Sequence, residues 1–351
     1  MDLALRPRIV VALIGLVAFL PVSVDAGMTP EEVKAFEGYK AEAGKGDAIA
    51  QYNLGFCYSN GHGVAKDEVE AVKWYRKAAE QGLASAQCNL GFCYSNGEGV
   101  AKDEVEAVKW YRNAAEQGHA PAQDNLGLYY VYGKGVTKDE VEAVRWFRKA
   151  AEQGYANAQS NLGTSFLKGV AKDEVEAVKW YRKAAEQGYY TAQYNLGICY
   201  SKGQGVAKDE VEAVKWFRKA AEQGLAPAQA QLGFHYYKGE GVAKDQVEAV
   251  KWYRKAAEQG HAPAQYNLGL CYVYGEGVAK DEIEAYAYLN LAGITEELAR
   301  KSLAILEKEL SPDARLLGQR RTKQLQKEIE GRLESAEEIR KAIEKERIKG
   351  A

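Results

Sequence analysis

The chain has 351 residues, enough for two or three ordinary domains or for one array of repeats. Hydrophobic residues make up 46% and charged residues 27%, with a formal net charge of -2, which excludes wholesale disorder and any long-range attraction to nucleic acid or anionic lipid. Glycine is frequent (35) and proline scarce (7), a balance that suits many short helix ends rather than a low-complexity linker.

The N-terminus reads as an export signal. Arg6 and Arg8 precede an apolar run from Ile9 to Leu20, Pro21 breaks it, and Val24-Asp25-Ala26 supplies small residues for a cleavage site. The run is short of the roughly 20 residues that span a bilayer. Residues 1–26 are therefore expected to be a signal peptide, with a mature chain beginning near Gly27 in the periplasm or secreted space. The alternative is an uncleaved signal that anchors the protein to the inner membrane. No cysteine follows the cut, which argues against a lipoprotein. Residues 27–46 contain one helix-like stretch without Trp, expected to form an N-terminal cap.

From residue 47 the sequence repeats. All six tryptophans, Trp74, Trp110, Trp146, Trp180, Trp216 and Trp252, sit in one phrase, KDEVEAVKWYRKAAEQG or a close variant. A second phrase precedes each, and its glycine recurs at Gly55, Gly91, Gly127, Gly163, Gly197, Gly233 and Gly269. The units run over 47–82, 83–118, 119–154, 155–188, 189–224, 225–260 and a degenerate 261–296. Both segments of a unit read as helices. Asp67, with Glu70 three residues on, is a capping-box start, and Gly82 suits the left-handed residue that closes a helix. Between them Ala71, Trp74, Tyr75 and Ala78 share one face, with Glu70, Lys73 and Lys77 opposite. In the first segment Ala50, Leu54, Cys57 and Tyr58 share a face, and Gly61-His62-Gly63-Val64 joins the helices. One unit cannot bury its own Trp, Tyr and Leu, whereas stacked neighbours can, so the fold class is all-α, a solenoid with one continuous core. The small residues Gly55 and Ala50 let facing helices approach. Unit four is two residues short, which predicts a shortened turn there.

After 296 the repeat stops, and 297–351 read as a helical cap with a charged tail. Thr295 is a candidate cap for a helix to Leu310, and Ser311-Pro312-Asp313 is a strong second start. The stripe Leu325, Ile329, Leu333, Ile339 and Ile343 fits either a short coiled coil or a solvated capping helix, and Gly331 weakens any long rigid helix.

The unit resembles the Sel-1-like repeat, a relative of the tetratricopeptide repeat. Unit two carries the pattern as Ala84, Ala86, Leu90, Gly91, Tyr94, Gly97, Gly99, Val100, Asp103, Ala107, Trp110, Tyr111, Ala114, Ala115 and Gly118. Departures are Phe166 for the Tyr of unit four, Gln231 for the Asn before Leu in unit six, and Tyr286 and Tyr288 for Trp-Tyr in the last unit. The resemblance implies an α/α right-handed superhelix and a role in binding other proteins. It names no partner.

Chemistry is hard to find. Cys57, Cys93, Cys199 and Cys271 share one repeat position and Cys88 stands apart. A cysteine-rich branch of the family staples each unit with cysteines eight residues apart, but Ala79 and Gln87 hold those positions here, so thiols are expected. His62, His119, His235 and His261 show no metal-ligand spacing. No metal or cofactor is expected, and no nucleophile–base set is present. The reading is a non-enzymatic scaffold or adaptor. The alternatives are a regulator of one envelope enzyme or signalling receptor, or a cell-wall or β-lactam hydrolase.

The first helix varies most between units. Its 52, 56 and 59 positions point away from Leu54 and form a ladder that a tetratricopeptide-like stack would place on the concave side. The candidate binding residues are Tyr52, Asn53, Asn89, Asp124, Asn125, Asn161, Tyr194, Asn195, Tyr237, Tyr266 and Asn267, facing a protein or peptide partner. The other reading is that the Phe56 position packs against the next unit and the asparagines tie adjacent helices together.

Overall fold

A computed structural model describes residues 28–169 and 172–347, with side chains as far as Ser335. The expected signal peptide, the turn residues 170–171 and the last four residues lie outside the described residues. Among these the chain forms 17 helices and no strand. A lone α1 (Pro30–Gly44) is followed by seven antiparallel pairs: α2 (Ala48–Asn60) and α3 (Glu68–Glu80), α4 (Ala84–Asn96) and α5 (Glu104–Glu116), α6 (Ala120–Tyr132) and α7 (Glu140–Glu152), α8 (Ala156–Lys168) and α9 (Glu174–Glu186), α10 (Tyr190–Lys202) and α11 (Glu210–Glu222), α12 (Ala226–Lys238) and α13 (Gln246–Ala257), α14 (Ala262–Tyr274) and α15 (Glu282–Ala292). Two further helices, α16 (Glu297–Glu309) and α17 (Pro312–Arg347), close the chain. Each second helix packs mainly against its own first helix and the first helix of the next unit. The molecule is an all-α solenoid with a core that continues from unit to unit.

Each second helix starts on an aspartate. The Asp67 side chain accepts from the Glu70 amide at 2.9 Å. The box is only half made, because the Asp67 amide donates to the Tyr58 carbonyl and the Glu70 carboxylate turns outward to Lys73. Both halves form at α1, between Thr29 and Glu32. His119 and His261 start α6 and α14, their Nδ1 atoms accepting from the amides of Ala122 and Ala264 at 3.3 Å. Burial lowers the pKa of both imidazoles, which keeps them neutral and able to accept.

Inside a unit the two helices meet at the glycine of the first. A Cβ on Gly91 would lie 2.9 Å from the Tyr111 ring, and one on Gly127 would lie 2.6 Å from the Phe147 ring. The absence of a side chain seats an aromatic ring that is 2% exposed at Tyr111 and 1% at Phe147, worth about 1.5–3 kcal/mol each. In the degenerate seventh unit Leu289 fills that seat against Gly269.

Polar contacts bind one unit to the next. The buried Gln87 amide donates to the Ala79 carbonyl of the preceding second helix, and its oxygen accepts from Gln117 at 2.7 Å. The relay recurs through Gln123 and Gln153, Gln193 and Gln223, Gln229 and Gln259. On the other side Arg112 donates to the Tyr130 hydroxyl at 2.8 Å, and Arg182, Arg218 and Arg254 repeat this on Tyr200, Tyr236 and Tyr272. The third contact is backbone against backbone. Gly99, at φ 66°, sits on the first turn of α3, where a Cβ would lie 2.0 Å from the Glu68 carbonyl oxygen. Gly63 makes the same contact with Glu32 of α1, so α1 takes the place of a preceding second helix.

The junction between units three and four lacks two of these contacts. Phe166 replaces tyrosine, and Arg148 lies over its ring with no hydroxyl to bond. Helix α8 keeps 13 residues, so the deletion falls after it: the Asp173 amide reaches back to Phe166, seven residues, where Asp139 reaches back nine to Tyr130. Gly169 is extended, with φ -89°, and Val141 is 69% exposed against 53% at Val105. Asn161 compensates in part by donating to Asp124 at 2.8 Å.

Tryptophan is less central than the sequence suggests. Trp146, Trp180, Trp216 and Trp252 are buried, but Trp74 and Trp110 are half-exposed. The lysine three residues on covers the indole face, at 3.7 Å for Lys77 over Trp74 and 4.1 Å for Lys149 over Trp146. At the C-terminal end α17 lies on α15, where Gly318 meets the Tyr286 ring and Arg321 pairs with Glu284 at 2.7 Å. One expectation fails here. Glu296, not Thr295, occupies the cap position of α16, without a side-chain hydrogen bond. Gly331 lies within α17, and a side chain at its position would meet nothing.

Three substitutions test the junctions by urea unfolding. Gly99→Ala combines a left-handed residue with a backbone clash and should lose about 2–4 kcal/mol, whereas Gly97→Ala, with ordinary contacts, should lose about 1 kcal/mol. Phe166→Tyr supplies Arg148 with an acceptor and should gain about 1 kcal/mol; an unchanged or lower midpoint would show that the missing bond is not what distinguishes this junction.

Candidate binding groove

One side of the first helices carries the 52, 56 and 59 positions. It is neither open nor closed. Phe56, Phe92, Leu128 and Ile198 are half-buried against the core, and Phe234 is 37% exposed. Of the residues singled out by sequence, Tyr52, Asn53, Asn125, Asn161, Tyr194, Asn195, Tyr237, Tyr266 and Asn267 are half-buried along this side, while Asn89 and Asp124 are buried. Tyr194 leans on Phe217 with ring centroids 5.9 Å apart, and Tyr52 on Tyr75 at 5.8 Å, so both support the second helix. Burial raises the pKa of Tyr52 and Tyr194. Asn161 ties α8 to α6 through Asp124. The ladder is thus partly structural.

Clefts open between successive units along it. One, of about 310 Å³, lies between α12 and α14 and is lined by Phe234, Tyr237, Tyr253, Asn267, Leu270 and Glu276. A smaller one between α2 and α4 is lined by the corresponding Phe56, Ser59, Tyr75, Asn89, Phe92 and Glu98. The cleft belongs to the repeat rather than to one accident of packing. Apolar walls, an asparagine and a carboxylate make the larger a place for a side chain with an apolar stem and a polar end, whereas the smaller, of about 20 Å³, has room for little more than a water. In the larger cleft the Tyr237 hydroxyl donates to Glu276 at 2.6 Å, and this bond pushes its pKa up to about 12.

Sequence reasoning missed the rim. Glu98 and Glu276 occupy the middle of the Gly-x-Gly turn, a position that elsewhere holds His62, Lys134, Gln204 and Glu240. It is the one place in that turn that changes between units, a signal that was available. The cysteines offer no alternative chemistry. All five are buried, no disulfide joins them, and burial pushes the Cys199 and Cys271 thiols up to about 11, far from a reactive thiolate. No helix among the described residues is long and apolar enough to cross a membrane.

Comparison with known proteins agrees with this architecture. The Sel1 repeat model matches seven times, at 48–83, 84–119, 120–155, 156–189, 191–225, 226–261 and 262–293. A Sel1 repeat protein from Oxalobacter formigenes is similar in structure, with 35% identity, a TM-score of 0.64, and coverage of 77% of this chain and 79% of that one. Another similar structure is c5321, a protective antigen present in uropathogenic Escherichia coli strains displaying an SLR fold, at 34% identity and a TM-score of 0.43 over 85% of this chain and 80% of that one. No curated protein matches. With seven consecutive matches to its model, the chain belongs to the Sel1 repeat family.

Proposed function

We propose that the protein is a non-enzymatic scaffold or adaptor of the cell envelope or secreted space that holds an extended segment of a partner protein along its first-helix groove. Sel1 repeat proteins are generally protein-interaction scaffolds. The observation that carries the reading is the recurrence of equivalent apolar, amide and carboxylate lining positions near both ends of the array, open to about 310 Å³ between units six and seven. A repeated subsite suits a repeated feature of an extended chain, and several weak subsites sum to useful affinity. The N-terminal Arg6, Arg8 and Ile9–Leu20 pattern supports export.

A photo-crosslinking residue at position 270 should capture the partner from an envelope extract, and one at Val141, on the second-helix side, should not. The double variant Phe234→Thr with Tyr237→Ser places residues that equivalent positions already hold as Thr164 and Ser201. It should weaken capture at least about ten-fold, the scale of one lost hot spot, while the thermal midpoint moves little. Equal crosslinking at both sites, or undiminished capture, would place the partner elsewhere. Export predicts a mature chain beginning near Gly27 by intact mass; a full-length chain retained in the membrane fraction would support the uncleaved anchor instead.

A further inference from the structure

We propose that Glu210, His235 and Glu240 form a site for a divalent transition-metal ion that fastens the fifth unit to the sixth. His235 lies on α12 at a position held in other units by Cys57, Cys93, Tyr129, Ser165, Cys199 and Cys271, and it is 1% exposed. Its Nδ1 is 3.0 Å from the backbone carbonyl oxygen of Glu240 and 3.8 Å from Glu210 Oε2. Glu210 opens α11 in the preceding unit. Its Oε1 meets Lys208 Nζ at 2.9 Å, whereas its Oε2 is buried and accepts no hydrogen bond from the protein. The Glu240 carboxylate, in the exposed turn between Gly239 and Gly241, brings the ligand atoms of all three side chains within 4.8 Å of one another. Among the described residues no other trio of His, Cys and carboxylate side chains gathers so closely.

Oxygen atoms that crowd one imidazole nitrogen repel one another unless positive charge lies between them. A proton on Nδ1 serves the Glu240 carbonyl and leaves Glu210 Oε2 dry, at the cost of an unsatisfied buried acceptor. A metal ion serves every group at once. Bonds of about 2.0–2.2 Å place ligand atoms roughly 3–3.5 Å apart, so the exposed Glu240 side chain has to swing by only ~1 Å. One imidazole and two carboxylates suit zinc, cobalt or manganese, and an imidazole ligand disfavours magnesium and calcium. The Glu240 carbonyl or a water completes the shell. Since Glu210 belongs to one unit and the other two ligands to the next, the ion spans a junction otherwise held by the Gln, Arg–Tyr and glycine contacts.

The repeat supplies its own control variants. The corresponding trios are Glu104, Tyr129 and Lys134; Glu174, Cys199 and Gln204; Gln246, Cys271 and Glu276. His235→Tyr, Glu240→Gln and Glu210→Gln therefore each introduce a residue that the same position already carries elsewhere in the array. Metal-free full-length protein is titrated calorimetrically with zinc chloride above the ordinary imidazole pKa, with circular dichroism confirming that every variant is folded. The expected result is one ion per chain, no competition from magnesium, a thermal midpoint raised by zinc, and binding at least about ten-fold weaker in each variant. Equal zinc binding in wild type and all three variants would place the ion on other groups, and no binding by the folded wild type would leave the His235 ring with its Glu240 carbonyl contact alone; either result overturns the proposal.

Discussion

Close approach of backbone to its neighbour is the constraint on which this molecule rests. Within each of the first six units a glycine without a side chain receives the ring of the second helix, and in most units a second glycine lies against the opening turn of the helix before it. Both contacts are shorter than a Cβ permits. They set how near the helices lie, and that distance decides whether small alanines such as Ala78, Ala114 and Ala150 can close the remaining space, as they do with 0% exposure. A unit alone would leave those surfaces wet, which is why the chain caps itself with α1 at one end and α16 and α17 at the other.

Polar groups in this core follow the same logic. A buried glutamine is costly unless its amide is satisfied, and each glutamine of the relay donates to a carbonyl of the preceding unit while accepting from its own second helix. The relay therefore specifies the order in which helices stack, a task that nonspecific apolar packing performs poorly. The Arg–Tyr bonds are part-buried as well, with a charged donor in each.

Much of this was legible in the sequence because a repeat is its own alignment. The phase of Trp74 to Trp252, the aspartate before each second helix and the glycines after it gave the pairs, the caps and the stack. The lone helix before residue 47 is where the N-terminal cap is found. What escaped was three-dimensional. Nothing in the spacing distinguishes an indole covered by Lys77 from one sunk in the core, or shows that His119 starts a helix through its own ring nitrogen. The groove residues were placed by helical geometry, but Asn89 and Asp124 proved buried, Asp124 with the Asn161 amide donating to it. Glu98 and Glu276 escaped because a turn that accounts for its glycines draws attention away from the residue between them.

Unit four gives the array a grain. A chain of near-identical links shares load evenly and frays from its ends, but one poorer link changes that. Arg148 without a hydroxyl to meet, and a more exposed Val141, mark the link between the third unit and the fourth. The core and the Gln159 relay still run across it, so the difference at this link lies in its Arg–Tyr and turn contacts alone.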